Sequence, residues 1–157
     1  MERHEFFLEA LSAMTRLYGQ DVPMTLSTAQ DNRPNARVVD VCFTGGAFYA
    51  TSHLSSAKMR EIANNPHVAL NHQLFVARGT AEYAGHPLDA GNEALREALA
   101  QAFHKFYGRH VNEGDPGTCI LKITPSWALV FADGFKYVAD FEKKTATRQL
   151  FTTDIIL

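Results

Sequence analysis

The fold is decided by a stretch that begins at Pro34 and reads PNARVVDVCFTGGAFYATSHLSSAKMREIANNPHVALNHQ. Two runs rich in β-branched and aromatic residues, 36–43 and 47–52, flank the triplet Thr44-Gly45-Gly46. Such runs favour strands, and a glycine pair between them is typical of a tight hairpin. The pattern therefore predicts two antiparallel strands, followed by a helix over residues 55–64.

The alternation of apolar and polar residues continues outward from this stretch. Further strands are predicted at residues 22–28, 67–73, 75–83, 118–124 and 127–132. The last two are predicted as separate strands because Pro125-Ser126 interrupts the pattern. The chain then has about seven strands, most of them joined by short links. The polar residues 143–148 are interpreted as a surface hairpin or a tail.

Apolar residues at helical spacing predict two further helices. The first carries a stripe from Phe7 to Tyr18 and can end at Gly19. The second begins at Pro87 and ends at Gly108. The strand–helix–strand repeats of a parallel sheet are missing, and an antiparallel barrel hides its edges by closing. We therefore expect a mainly β (α+β) protein, with residues 1–157 forming one antiparallel barrel domain with flanking helices.

Composition and charge narrow the function. The 157 residues carry a net charge of −2, whereas nucleic-acid-binding domains are usually basic, so we expect no nucleic-acid partner. No apolar run approaches the roughly 18 residues of a membrane span, so we expect a cytoplasmic protein without a membrane partner. Cys42 and Cys119 form no zinc or dithiol motif, and His67 and His72 make a poor metal pair on one strand. No metal site is therefore predicted.

One cluster of residues has the chemistry of an anion site. Arg37 lies on one predicted strand, and Thr51 and Ser52 end the next. Ser56 and Lys58 open the helix that follows. The free N–H groups and partial positive charge of a helix N-terminus suit a phosphate monoester, to which an arginine adds a forked contact. The simpler alternative is that the serine only caps the helix and the lysine is solvated.

Four segments, taken in order, carry a resemblance to a known family. They are Asn32–Val39, Phe48–Ser52, Ser56–Ile62 and Asn65–Leu70. Their order and spacing resemble the FMN-binding split β-barrel family related to pyridoxamine 5′-phosphate oxidase. The resemblance extends over about residues 22–83 and is architectural only beyond Thr118.

The resemblance implies a split β-barrel that forms a homodimer, with FMN as the cofactor at the subunit interface. The anion cluster would hold the phosphate, and the strand from Val38 to Asp40 would run under the isoalloxazine ring. The residues implied to bind FMN are Arg37, Val38, Val39, Asp40, Thr51, Ser52, Ser56, Lys58, Gln73 and Trp127. Ordinary interface packing is the simpler alternative for Trp127. His53, just before the implied phosphate loop, is either a solvated loop residue or a residue that approaches the flavin.

The resemblance also implies an activity, because in such a site the flavin carries the chemistry. We expect an oxidoreductase with a small-molecule electron donor or acceptor and assign no catalytic residue. The oxidase itself has lysine where this chain has Cys42, a basic residue where it has Ala57, and an arginine-containing tail that residues 151–157 lack. We therefore expect a substrate other than vitamin B6. The alternative is a non-enzymatic flavin or haem carrier or sensor on the same barrel.

Overall fold

The computed structural model describes residues 1–151; the end of the predicted domain and of its tail, residues 152–157, lies outside the described residues. The helices are α1 (Glu2–Tyr18), α2 (Ala57–Asn64), α3 (Glu93–Ala102) and α4 (Tyr107–His110). The strands are β1 (Val22–Gln30), β2 (Arg33–Thr44), β3 (Ala47–His53), β4 (His67–His72), β5 (Phe75–Tyr83), β6 (Thr118–Ala132), β7 (Phe135–Asp140) and β8 (Thr145–Leu150). No helix in the described part of the chain combines the length and the apolar character needed to cross a membrane.

The strands form one antiparallel sheet in the order β3-β2-β1-β4-β5-β6-β7-β8. An additional pairing of β3 with β6 closes the first six of these into a barrel, and β7 and β8 extend the sheet beyond it. Closure removes edges that would otherwise expose unpaired backbone groups. The predicted class, an antiparallel barrel with flanking helices, is confirmed.

The prediction of two strands around Pro125 was wrong, because β6 runs through it without a break. Pro125 pairs with Gly79 at a bulge where the register of β5 and β6 shifts. A Cβ atom on Gly79 would lie 2.1 Å from the carbonyl oxygen of Thr124, so only glycine lets the two backbones approach this closely. Proline is tolerated at such a bulge because it withholds no ladder hydrogen bond there.

The second predicted helix was also placed wrongly. Residues 84–92 form a loop, in which the Asn92 side chain donates to the carbonyl oxygens of Ala84 and His86, both at 3.0 Å. The helix begins only at Glu93, and Gly108 lies within α4 instead of ending a helix. Pro87 suits the first turn of a helix, but no helix starts there because side chains satisfy the backbone groups of the loop.

The polar segment at residues 143–148 belongs to a hairpin, since β8 pairs with β7 along its whole length. α1 packs against this hairpin and contributes Phe7 and Met14 to the barrel core. A second, smaller core lies between α3, α4 and the barrel wall, around Leu99 and Phe103. The two cores hold β2, β3 and α2 in place, and these three elements carry the predicted anion cluster.

Candidate functional site

β2 has an open edge over most of its length. β1 pairs with β2 from Gln30↔Arg33 to Val22↔Val41, whereas β3 pairs with β2 only over Cys42–Thr44. Among residues 1–151, no strand covers the other side of residues 33–41. Half of the backbone N–H and C=O groups of this segment therefore face outward and can bind a ligand or another chain.

The side chain of Arg37 turns inward from this strand. Arg37 pairs with Leu26 of β1, so the two side chains share the face that leads into the barrel. Its guanidinium donates to the Thr28 hydroxyl at 2.8 Å, to the Leu26 carbonyl at 3.3 Å and to a Glu61 carboxylate oxygen at 3.3 Å. The Arg37 side chain is 25% exposed and keeps its Nε–H without an acceptor among the described residues. The second N–H of Nη2 also has no acceptor there, so two donors remain for a ligand.

Glu61 is the buried counter-ion of Arg37. It lies on α2, is 8% exposed, and accepts hydrogen bonds from Thr28, from Asn35 at 2.8 Å and from Arg37. These hydrogen bonds, the one from Thr28 first, hold the pKa of Glu61 below its ordinary value. Glu61 is therefore ionised at neutral pH, and its oxygens are already occupied by protein donors.

Lys58 differs from Arg37 because it has no counter-ion. It is the second residue of α2 and half-buried, and it forms no ion pair with any of residues 1–151. Glu61 lies one helical turn away at the i+3 position, but its oxygens bond to β1 and β2 instead. Burial, and then the positive charge of Arg37, lower the pKa of Lys58. Two cations, Arg37 and Lys58, thus lie close together, and the only carboxylate beside them among residues 1–151 is the buried one of Glu61.

The hydroxyl groups of Ser52 and Ser56 complete this cluster, 3.2 Å apart. Ser56 also caps α2 by accepting a hydrogen bond from the Met59 N–H at 3.4 Å. The capping role considered as the simpler alternative is therefore confirmed, and it coexists with a hydroxyl at the mouth of the site. Thr51 precedes Ser52 on β3, so its side chain faces the opposite side of the strand. Both residues border a cavity of about 200 Å³ that His53 and Asp115 also line.

The remaining predicted residues lie apart from this cluster. Val38 and Asp40 face outward on β2, with Val38 68% exposed, while Val39 packs on the barrel core. Gln73 occupies the β4–β5 turn with a φ of 54°, beyond the level of Arg37. Trp127 lies on the outer face of β6, where the Arg78 guanidinium carbon lies 4.1 Å from its ring centroid. Within one chain, the structure brings neither Gln73 nor Trp127 to Lys58.

The His53 side chain is 42% exposed, but hydrogen bonds at both ring nitrogens hold it in place. Its Nδ1 accepts from the backbone N–H of Ser55 at 3.1 Å, so Nε2 carries the proton and donates to Asp115 at 3.0 Å. A Cβ atom on Gly117 would lie 2.4 Å from the ring, which shows how tightly the imidazole lies over this backbone. His53 therefore ties the end of β3 to the start of β6.

A family model described as pyridoxamine 5′-phosphate oxidase matches residues 11–131. The chain belongs to the pyridoxamine 5′-phosphate oxidase family. The matched region contains the open edge of β2, the cation pair on β2 and α2, and the outer face of β6. Membership in the pyridoxamine 5′-phosphate oxidase family confirms the resemblance inferred from the sequence. No curated protein matches the sequence.

Solved structures share the fold of this family member at low sequence identity. General Stress Protein 26 from Bacillus anthracis is 20% identical, with a TM-score of 0.57 over 82% of this chain and 93% of its own. An FAD-binding protein from Mesorhizobium loti is 18% identical, with a TM-score of 0.58 over 77% of this chain and 88% of its own. A haem-binding protein from Mycobacterium smegmatis is 16% identical, with a TM-score of 0.63 over 92% of this chain and 60% of its own. These likenesses establish the fold alone, because one fold can host many different ligands.

Proposed function

We propose that this protein binds FMN and acts as a flavin-dependent oxidoreductase with a small-molecule electron donor or acceptor. The observation that carries the proposal is the lack of a counter-ion for Lys58 among the described residues, at the start of α2 and beside Arg37. A half-buried cation without a partner is costly unless an anion completes it. A phosphate monoester supplies that anion.

The residues present fit the phosphate end of FMN. Lys58 offers three N–H donors, Arg37 keeps its Nε–H, and the hydroxyls of Ser52 and Ser56 face each other across the mouth. The first backbone N–H groups of α2 add partial positive charge at the same point. Thr51 faces away from this cluster, so we assign it no contact with the phosphate.

The open edge of β2 fits the ring of FMN. Its backbone groups beside Val38, Val39 and Asp40 have no strand partner among residues 1–151, and they match the donors and acceptors on the polar edge of an isoalloxazine. Bound FMN supplies hydride and electron transfer, and the protein supplies orientation and charge. No side chain needs to act as acid or base, so the chain's contribution is binding and positioning.

A homodimer through the outer sheet face accompanies this proposal. One cross-strand row on that face carries Val38, Val76, Leu129 and Val138, none of which is fully buried within one chain. The neighbouring row carries Trp127, which a second copy can bring to the open edge of β2. We expect a two-fold dimer that buries more than about 2,000 Å² in total. Buried thiols at Cys42 and Cys119 agree with a cytoplasmic protein.

Two measurements on the purified full-length protein test the proposal. Its absorption spectrum after addition of FMN and removal of unbound flavin should show one flavin per chain, and NADH or NADPH should bleach that spectrum. A haem spectrum, or no retained flavin, contradicts the FMN assignment. Retained flavin identifies a carrier instead if neither NADH nor NADPH reduces it and if, once reduced by dithionite, it passes no electrons to an added oxidised acceptor. Sedimentation as a monomer with FMN bound contradicts the dimer.

A further inference from the structure

The charge balance of the cation cluster is set by a residue that does not face the ligand. Lys58 and Arg37 carry two positive charges, and Glu61 beneath them carries one negative charge. Sequence spacing alone groups Lys58 with Arg37 and gives no reason to include Glu61. The packing of α2 on β1, together with the hydrogen bonds of Glu61 to β1 and β2, brings the three together.

Glu61 is held more firmly than an ordinary counter-ion. It is 8% exposed, and three donors from two strands, those of Thr28, Asn35 and Arg37, occupy its oxygens. All three donors lie on β1 and β2, so they hold the carboxylate toward the strands and not toward Lys58, although the two residues lie on the same side of α2. The carboxylate therefore needs no bound anion to hold its position.

We infer that Glu61 is a positioning and specificity-determining residue, which fixes the Arg37 guanidinium and limits the charge that the site offers to a phosphate. This inference rests on the proposed function of the site. The hydrogen bonds to Leu26, Thr28 and Glu61 fix the plane of the Arg37 guanidinium, so its two remaining N–H donors, on Nε and Nη2, point in fixed directions. A dianionic phosphate then meets a net charge of about +1, where two free cations would offer about +2.

The test compares the affinities of FMN and riboflavin, which differ only by the phosphate. In Glu61→Gln, which keeps the side-chain size, the preference for FMN over riboflavin should rise about five- to tenfold, because one negative charge near the phosphate is lost. Riboflavin affinity should stay within about twofold, because the ring does not contact this network. Glu82→Gln, an exposed residue on β5, is the matched control and should change neither affinity.

Two further variants separate charge from structure. Glu61→Asp disturbs the same hydrogen bonds but keeps the charge, so the FMN preference should not rise. Asn35→Asp adds a charge beside Glu61 at an exposed position and should lower the preference about fivefold. Equal shifts in Glu61→Gln and Glu61→Asp, or no shift in Asn35→Asp, would overturn the inference. If the wild-type protein itself shows no preference for FMN, the proposed function fails instead.

Discussion

Two cations, Arg96 on α3 and Lys58 on α2, have opposite surroundings. Arg96 on α3 grips the carboxylate of Glu113 with Nε and with Nη2, the latter at 2.8 Å, and Tyr107 donates to the same carboxylate at 3.3 Å. Lys58 on α2 has no carboxylate partner within residues 1–151. Arg96 therefore has its counter-ion without a ligand, whereas Lys58 has none among these residues. Incomplete pairing of a half-buried charge is what distinguishes a binding residue from a structural one here.

The largest effect is expected at Lys58, the cation without a counter-ion. Lys58→Ala should weaken FMN binding by about 1–3 kcal/mol, with the larger loss at low salt, because a charge-assisted contact to the phosphate is removed. The turnover of FMN-saturated protein should stay nearly unchanged, since Lys58 is remote from the reacting end of the ring. Fluorescence titration and steady-state kinetics measure the two. Normal FMN binding with a large loss of rate would place Lys58 at the reacting end instead.

The contact between the His53 ring and the backbone of Gly117 is sensitive to steric change. Gly117→Ala places a Cβ atom 2.4 Å from the His53 ring, so we expect a loss of about 1–3 kcal/mol in the free energy of unfolding. Gly108→Ala is the matched control, because its Cβ would meet nothing within 4 Å. Urea unfolding measures both. Unchanged stability of Gly117→Ala would mean that His53 can leave its position over this backbone.

Arg96→Ala tests the cation that already has a counter-ion. It leaves the Glu113 carboxylate without its main partner, so the midpoint of thermal unfolding should fall. The affinity for FMN should stay within about twofold, because Arg96 already has its counter-ion and offers no charge to a ligand. If Arg96→Ala weakens FMN binding as much as Lys58→Ala does, the contrast between the two cations fails.

A like-charge pair at the far end of β2 gives the smallest expected effect. Burial, and then hydrogen bonding to Asp40 and its charge, raise the pKa of Asp21 to about 6. An acid whose pKa is raised on folding stabilises the protein below its ordinary pKa, and that contribution is lost as the pH rises through 6. Asp21→Asn should therefore remove a decline of about 1 kcal/mol in stability between pH 5 and pH 7.5.

The control for this pH profile is Asp31→Asn in the exposed β1–β2 turn, where asparagine also adopts the φ of 52°. Its profile should follow that of the wild-type protein. A pH profile of stability that Asp21→Asn leaves unchanged would contradict the raised pKa of Asp21.

Local patterns predicted the barrel well, because alternation marks each strand and Gly45-Gly46 marks the β2–β3 hairpin. They failed where distant contacts decide the outcome. β6 continues through Pro125 because Gly79 on β5 lets the two backbones approach closely. The helix α3 begins later than predicted because side chains satisfy the backbone of the 84–92 loop. Because neighbouring residues on a strand face opposite sides, the sequence could have placed Thr51 and Ser52 on different faces of β3.

The candidate site was predicted in part. Spacing indicated Lys58 and Ser56, because both open one helix and helix starts are local features. It missed Glu61, since the hydrogen bonds of that carboxylate depend on the register Thr28↔Asn35 and on the packing of α2 against β1. A buried glutamate has no sequence signature of its own, because most glutamates in helices are solvated.

The difference between the affinities of the wild-type protein for FMN and for riboflavin decides whether Lys58 and Arg37 form a phosphate site. Isothermal titration of the full-length protein should give FMN the tighter binding by roughly 3 kcal/mol or more, since Lys58 and Arg37 contact only the phosphate. This preference should shrink with added salt. Equal affinities for the two flavins at low salt would contradict the account, because Lys58 would then not belong to an anion site.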